Sequence, residues 1–234
     1  NDPWQQELAT LQQLSQRQLD RSFQAQYNAL EKQLDQHERR DAAYFFTRLG
    51  LAQVADYHAG QSYLRKFNPH LQAKVDALDA YYLIVKLRES CAMLNRQNIV
   101  AGAYRMQLLD SLTAWLGQQP PLLQELPVVQ LYYQVYLLLV YPKEESHYWH
   151  LRSLLKAHYQ TLRPAEARGL FKYALNYCIR RSNLGEAAFR KELLELYQFL
   201  LANELLLDND QRLAHTDFKN IVTIGLRNEA FGWT

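Results

Sequence analysis

From Leu19 onward the apolar residues Leu19, Phe23, Tyr27, Leu30 and Leu34 recur at steps of 4, 4, 3 and 4. That is the period of one face of an α-helix. Trp4, Leu8 and Leu11 begin a similar stripe just before it. A second helix is predicted over residues 40–58, carrying Tyr44, Phe45, Leu49, Ala52 and Val54, with Gly60 as its stop. Asn68-Pro69 is a start signal, Asn as N-cap and Pro at the first helical position, for a helix to about Asn95. The pattern next predicts a helix from about Ala101 to Leu116, ending at Gly117, and a break at Pro120-Pro121. Pro127 opens a Tyr-rich helix that Pro142 closes. Three further helices follow: Glu144 to Thr161, Pro164 to a stop at Asn183-Leu-Gly185, and Glu186 to about Asn203. A polar loop, Asp208 to Arg212, then leads to Thr216, the expected N-cap of a last segment.

That last segment contains IVTIG, residues 221–225, which reads as a strand by β-propensity. An internal repeat argues otherwise. FKNIVTIGLRNEAFGW, starting at Phe218, lies without a gap on FKYALNYCIRRSNLGE, starting at Phe171, at an offset of 47 residues. Phe218, Lys219, Arg227 and Gly232 fall on Phe171, Lys172, Arg180 and Gly185, and Gly225 falls on the small Cys178. The earlier copy has a helix-start proline and helical spacing, so the later copy is predicted to be a helix as well. AYYLIVKL from Ala80 and LYYQVYLL from Leu131 are a looser echo, at an offset of 51 between Tyr82 and Tyr133. Uneven periods of 40 to 51 residues, each with two helices, predict an α-solenoid.

The expected fold is therefore all-α: about ten helices in an α-α superhelix of antiparallel pairs. It spans residues 1–234 as one helical-repeat domain, with N-terminal helices over 1–66 and repeat pairs over 67–234. The final helix has no second helix behind it, yet Phe218, Ile221, Val222, Leu226, Phe231 and Trp233 are apolar. This predicts a fragment of a longer array whose parent continues past Thr234, or self-association through the unpaired end. The start, Asn-Asp-Pro without Met, is what an excised or processed product would show.

Composition sharpens this only in places. Hydrophobic content of 48% with 21% charged residues is globular rather than disordered. Few Gly (8) and Pro (7) favour long elements over a many-stranded β fold. The longest apolar run, Val128 to Tyr141, is 14 residues and includes two Gln. A spanning helix needs about 20 residues, so no membrane partner is expected. Cys91 and Cys178 read as reduced core thiols, which places the chain in the cytoplasm.

LDAYYLIVKLRESCAMLNRQN, VVQLYYQVYLLLVYP, FKYALNYCIRRSN and HTDFKNIVTIGLRNEAFGWT resemble a family of large uncharacterised bacterial proteins described as tetratricopeptide-like. The resemblance runs from about Leu78 to the C-terminus. It implies an α-α superhelix and brings no catalytic residue with it. The 34-residue period and the full Trp, Gly, Tyr, Ala, Pro pattern of standard tetratricopeptide units are not present.

Candidate chemistry is sparse. No phosphate-binding glycine loop, metalloprotease or nucleophile-elbow motif occurs. Ser153 to Lys156 matches S-x-x-K without its companion motifs. His147 and His150 share a helix face, and Glu144 precedes His147 by three residues; this is an alternative metal or enzymatic site. The favoured reading is a non-enzymatic scaffold, with no cofactor, that binds a peptide or protein. In α-solenoids the first helix of each pair lines the concave face. There Tyr82, Lys86, Tyr133, Asn176, Tyr177, Arg180, Arg181, Lys219, Asn220 and Arg227 could clamp a peptide. Tyr81, Arg88 and Tyr173 lie nearby. The competing reading puts the Tyr in the core and the cations at helix C-termini. A nucleic-acid partner is the weakest alternative, because 26 basic residues face 24 acidic ones and the net charge is +2.

Overall fold

The computed structural model describes residues 3–60, 67–98, 100, 102–207 and 212–230. The described chain is all-α, with eleven α-helices and one 3-10 turn. Among the described residues the β pairing amounts to one isolated antiparallel bridge, Leu207 with Leu213. No described helix is long and apolar enough to cross a membrane. The segment 221–225 is helical, so the repeat outweighed β-propensity there. Phe231 and Trp233 lie outside the described residues, as do Asp208 to Gln211.

The chain divides into two compact units, Asn1–Tyr133 and Gln134–Thr234. The first holds α1 (Pro3–Gln16), α2 (Asp20–Asp35), α3 (Ala42–Gly60), α4 (Pro69–Gln97), α5 (Leu109–Leu116), α6 (Pro120–Glu125) and the start of α7 (Pro127–Val140). α1 packs on α2 and α3, and α3 lies along α4. Leu11, Phe23, Tyr27, Leu30, Leu34 and Leu51 form the centre of its core. The stripe read from the sequence is that core, except for Leu19. The chain turns between α1 and α2 at Gln18, φ 53°, so Leu19 flanks α2 and stays exposed. Asn68 caps α4 as expected, its side chain accepting from the His70 amide at 3.0 Å.

Three boundaries differ from the sequence reading. α5 begins at Leu109 rather than Ala101, because Leu108 adopts φ 65°, which a right-handed helix does not admit. Pro120 opens the short helix α6 rather than breaking the chain, since proline at a first helical position loses no hydrogen bond. The N-cap residue of the last helix is Ala214, without a side-chain cap, and Thr216 lies inside its first turn.

The second unit continues α7 and adds α8 (Glu145–His158), the 3-10 turn Tyr159–Thr161, α9 (Pro164–Asn183), α10 (Ala187–Ala202) and α11 (His215–Arg227). Each helix from α8 onward packs on the next. α9 ends in a left-handed Gly185, φ 93°. The Glu186 and Gly185 amides donate back to the Arg181 and Ser182 carbonyls at 3.3 and 3.1 Å. This is the Schellman arrangement, which turns the chain within three residues and lays α10 antiparallel on α9.

α8 and α10 then run parallel and in step. Tyr148 bonds Glu192, Arg152 bonds Glu195 and Tyr159 bonds Asn203, at separations of 44, 43 and 44 residues. α11 runs antiparallel to α10. Asn228 reaches the Arg190 carbonyl, while Asn220 lies beside the Tyr197 hydroxyl, which has no properly formed hydrogen bond. The 47-residue register holds in burial at three positions, though Phe218 is exposed where Phe171 is buried. α9 buries Ala174, Tyr177 and Cys178; α11 buries Ile221, Ile224 and Gly225 at the same places.

Candidate functional site

The first unit contains a cavity of about 750 Å³ between α2, α3, α4, α5 and α6. Its origin is a row of small residues. α4 presents Ala73, Ala77 and Ala80 at steps of 4 and 3, one helix face, and Ala52 of α3 also lines the space. Short side chains there leave a void that larger ones would fill. Tyr27, Tyr44, Leu51 and Leu83 are buried around it and make an apolar floor. Trp115 of α5, 44% exposed, stands at the mouth.

The polar lining is largely acidic. Glu31, Asp76, Asp79 and Glu125 come from three helices, against one cation, Arg48. Arg48 bonds Asp35 at 3.1 Å, a carboxylate outside the lining, which offsets its charge. Glu31 accepts from the Tyr27 hydroxyl at 2.8 Å. Burial first, and then that bond, raise the Tyr27 pKa, so the phenol stays a donor. Asp76 accepts a bond from neutral Gln72 at 2.7 Å. Among the described residues Asp76, Asp79 and Glu125 form no ion pair. The site thus joins a greasy floor to a negative rim.

The residues expected to clamp a partner are distributed differently. In the first unit Tyr82 is 41% exposed on α4, Lys86 is half-buried four residues on, and Tyr133 is half-buried on α7. Gly117 makes room for Tyr133: a Cβ there would stand 2.9 Å from its hydroxyl. In the second unit Asn176, Arg180, Lys219 and Arg227 are exposed, and Asn220 is half-buried. Tyr177, only 1% exposed, corrects the expectation. It stacks on Tyr148 at 5.1 Å and meets Phe189 edge-on, so its area belongs to the core. Arg181 is engaged too. It lies over Phe189 at 4.9 Å and binds Glu145 and Glu186.

His147 and His150 are not brought to one metal position. His147 Nε2 lies 3.2 Å from Glu144 and its Nδ1 3.1 Å from the Gln134 amide, while His150 is exposed. Among the described residues no three His, Cys, Asp or Glu gather closely enough to hold a metal ion. Lys156 of the S-x-x-K match lies over the Phe199 ring, 5.2 Å from its centre.

The second unit has a buried polar knot instead. Glu192, 5% exposed, accepts from Tyr148 at 2.7 Å and from Arg152 Nε, and Arg152 also reaches Glu195 at 3.1 Å. Burial, with Cys178 and Glu192 adjacent, raises the Tyr148 pKa, and burial pushes the Cys178 thiol up to about 12. Both stay protonated at neutral pH. Such a knot orders the helices around it. Cys91 and Cys178 are both buried and unpaired.

Comparison with protein-family models, with curated proteins and with solved structures finds no match for this chain. The cavity was missed by sequence reasoning because its carboxylates come from residues 31, 76, 79 and 125, joined only by folding. The one local signal was Ala73, Ala77 and Ala80 sharing a face with Asp76, one face of a long helix lined with small side chains.

Proposed function

We propose that this protein is a non-enzymatic helical-repeat scaffold of the tetratricopeptide-like kind, which holds a segment of a protein partner. The observation that carries this reading is the open cavity of about 750 Å³ in the first unit, with an apolar floor and an exposed Trp115 at its mouth. Recognition sites combine a concave apolar surface with a few convergent polar groups, and aromatic anchors dominate their energetics. The in-step helices of the second unit support the repeat reading, since equal separations along α8 and α10 are what stacked helix pairs produce. The perturbed phenols and thiols are core groups shifted upward by burial, away from the range an acid–base catalyst would use. A nucleic-acid reading loses ground at the cavity, where carboxylates would repel phosphate. Two buried unpaired thiols suit a reducing compartment such as the cytoplasm. Asn176, Arg180, Lys219 and Arg227 remain proposed contact positions on the second unit's surface.

Selection of a random peptide display library on the immobilised protein tests this. Saturable, micromolar binding by enriched peptides, weakened at least tenfold in Trp115→Ala, is expected. A selection that enriches no sequence, or binding indifferent to Trp115, counts against it.

A further inference from the structure

Resting on that reading, we infer that the cavity takes a basic amphipathic peptide segment: an apolar side chain on the floor, flanked by Lys or Arg that meet the Asp76, Asp79 and Glu125 rim. The sign of the pocket carries the inference. The protein as a whole is slightly positive, with 26 basic and 24 acidic residues. Its overall field therefore gives a cation no advantage, and any preference must be local. Locally, four carboxylates line the space, and the one guanidinium is already engaged by Asp35.

Three of the carboxylates, Asp76, Asp79 and Glu125, are exposed and without ion-pair partners among the described residues. Like charges around one opening repel, and a bound cation relieves that repulsion. Trp115 adds a ring face suited to an ammonium or guanidinium group. The opening requires more than charge: Phe45, Trp115, Leu122 and Leu126, partly exposed around it, offer apolar area that a bare cation would leave uncovered. A side chain of a peptide covers that area while its neighbours reach the rim.

The test is fluorescence anisotropy with three short labelled peptides of matched length: Lys alternating with Leu, Glu with Leu, and Gln with Leu. The Lys–Leu peptide is expected to bind at least tenfold more tightly than the other two, and the gap to shrink as NaCl is raised. The Asp76→Asn/Asp79→Asn/Glu125→Gln variant keeps the shape of the rim and is expected to erase the preference. All three positions are exposed, so the helical circular dichroism should not change.

Equal binding of the Gln–Leu or Glu–Leu peptide overturns the charge inference and leaves the scaffold reading standing. A preference that survives the triple variant places the cation elsewhere and overturns it as well. Displacement of the Lys–Leu peptide by spermidine at equal concentration identifies a small polyamine as the occupant and overturns the peptide assignment. Failure of all three peptides to saturate overturns the inference, while the scaffold reading stands or falls with the display selection.

Discussion

The hydroxyl of Tyr148 donates to the carboxylate of Glu192 at 2.7 Å, across 44 residues of chain and between two helices that run in the same direction. Arg152, one turn further along α8, holds the same carboxylate. The pair fixes the register of α8 against α10, and Tyr159 with Asn203 repeats the separation about three turns on. Removing Glu192 therefore leaves the Tyr148 phenol without its acceptor and Arg152 with Glu195 alone.

Glu192→Ala is expected to destabilise the protein by about 2–3 kcal/mol, the scale of lost hydrogen bonds to a charged group, because Arg152 is partly exposed and keeps Glu195. Tyr148→Phe is expected to cost about 1 kcal/mol, one hydrogen bond without a cavity. Urea unfolding of both variants, followed by circular dichroism, measures the difference. Equal losses would mean that Arg152 contributes little at Glu192.

Helix endings give a prediction with both signs. Gly185 follows α9 with φ 93°, whereas Glu204, which ends α10 in the same hydrogen-bond pattern, holds φ 56° with a side chain. Gly185→Ala is expected to cost about 1–2 kcal/mol and Glu204→Gly to stabilise by about 0.5–1 kcal/mol, because a Cβ is strained in the left-handed region. Thermal melts of the two variants should move in opposite directions.

Alkaline pH should unfold the protein. Burial raises the Cys178 thiol from 9.0, and the Tyr197 phenol from 10.0, to about 12. Between those values the folded state binds more protons than the unfolded one, so stability falls as pH rises. The contribution is complete below pH 9.0 and is lost as pH climbs through about 12. Urea midpoints measured across this window should decline, and Cys178→Ala should delay the onset. A flat profile would contradict the burial of these groups.

α11 exposes Phe218 (57%) and Leu226 (54%), although their repeat partners Phe171 and Ile179 are buried and half-buried on α9. Phe218→Ser/Leu226→Ser is expected to change stability by less than about 0.5 kcal/mol. It should reduce both the binding of a dye for apolar surface and any self-association seen by light scattering. An unchanged dye signal would mean that this face is not the exposed one.

The fold class was readable because helical period and repeat agree. Phe171 and Phe218 align without a gap, and a buried small residue at 178 matches glycine at 225, so a helix could be assigned to a segment rich in β-branched residues. The ends of elements were less readable. Leu108 takes a left-handed backbone that no local pattern announces, and Pro120 both stops one element and starts the next. Of the candidate tyrosines only Tyr177 goes to the core, for a physical reason: it has the polar handle of a contact residue, but its ring completes the stack with Tyr148, while Tyr82 stays exposed. The cavity was hidden because an absence of volume at Ala73, Ala77 and Ala80 matters only when other helices surround it.

Amide hydrogen exchange, with and without a display-selected peptide, shows whether the cavity is where a partner sits. Slowed exchange is expected over residues 73–83 of α4 and over residues 115–125, from the end of α5 through α6, with Trp115→Ala abolishing it. Exchange left unchanged by a saturating peptide, or slowed only over residues 145–186, would contradict that placement.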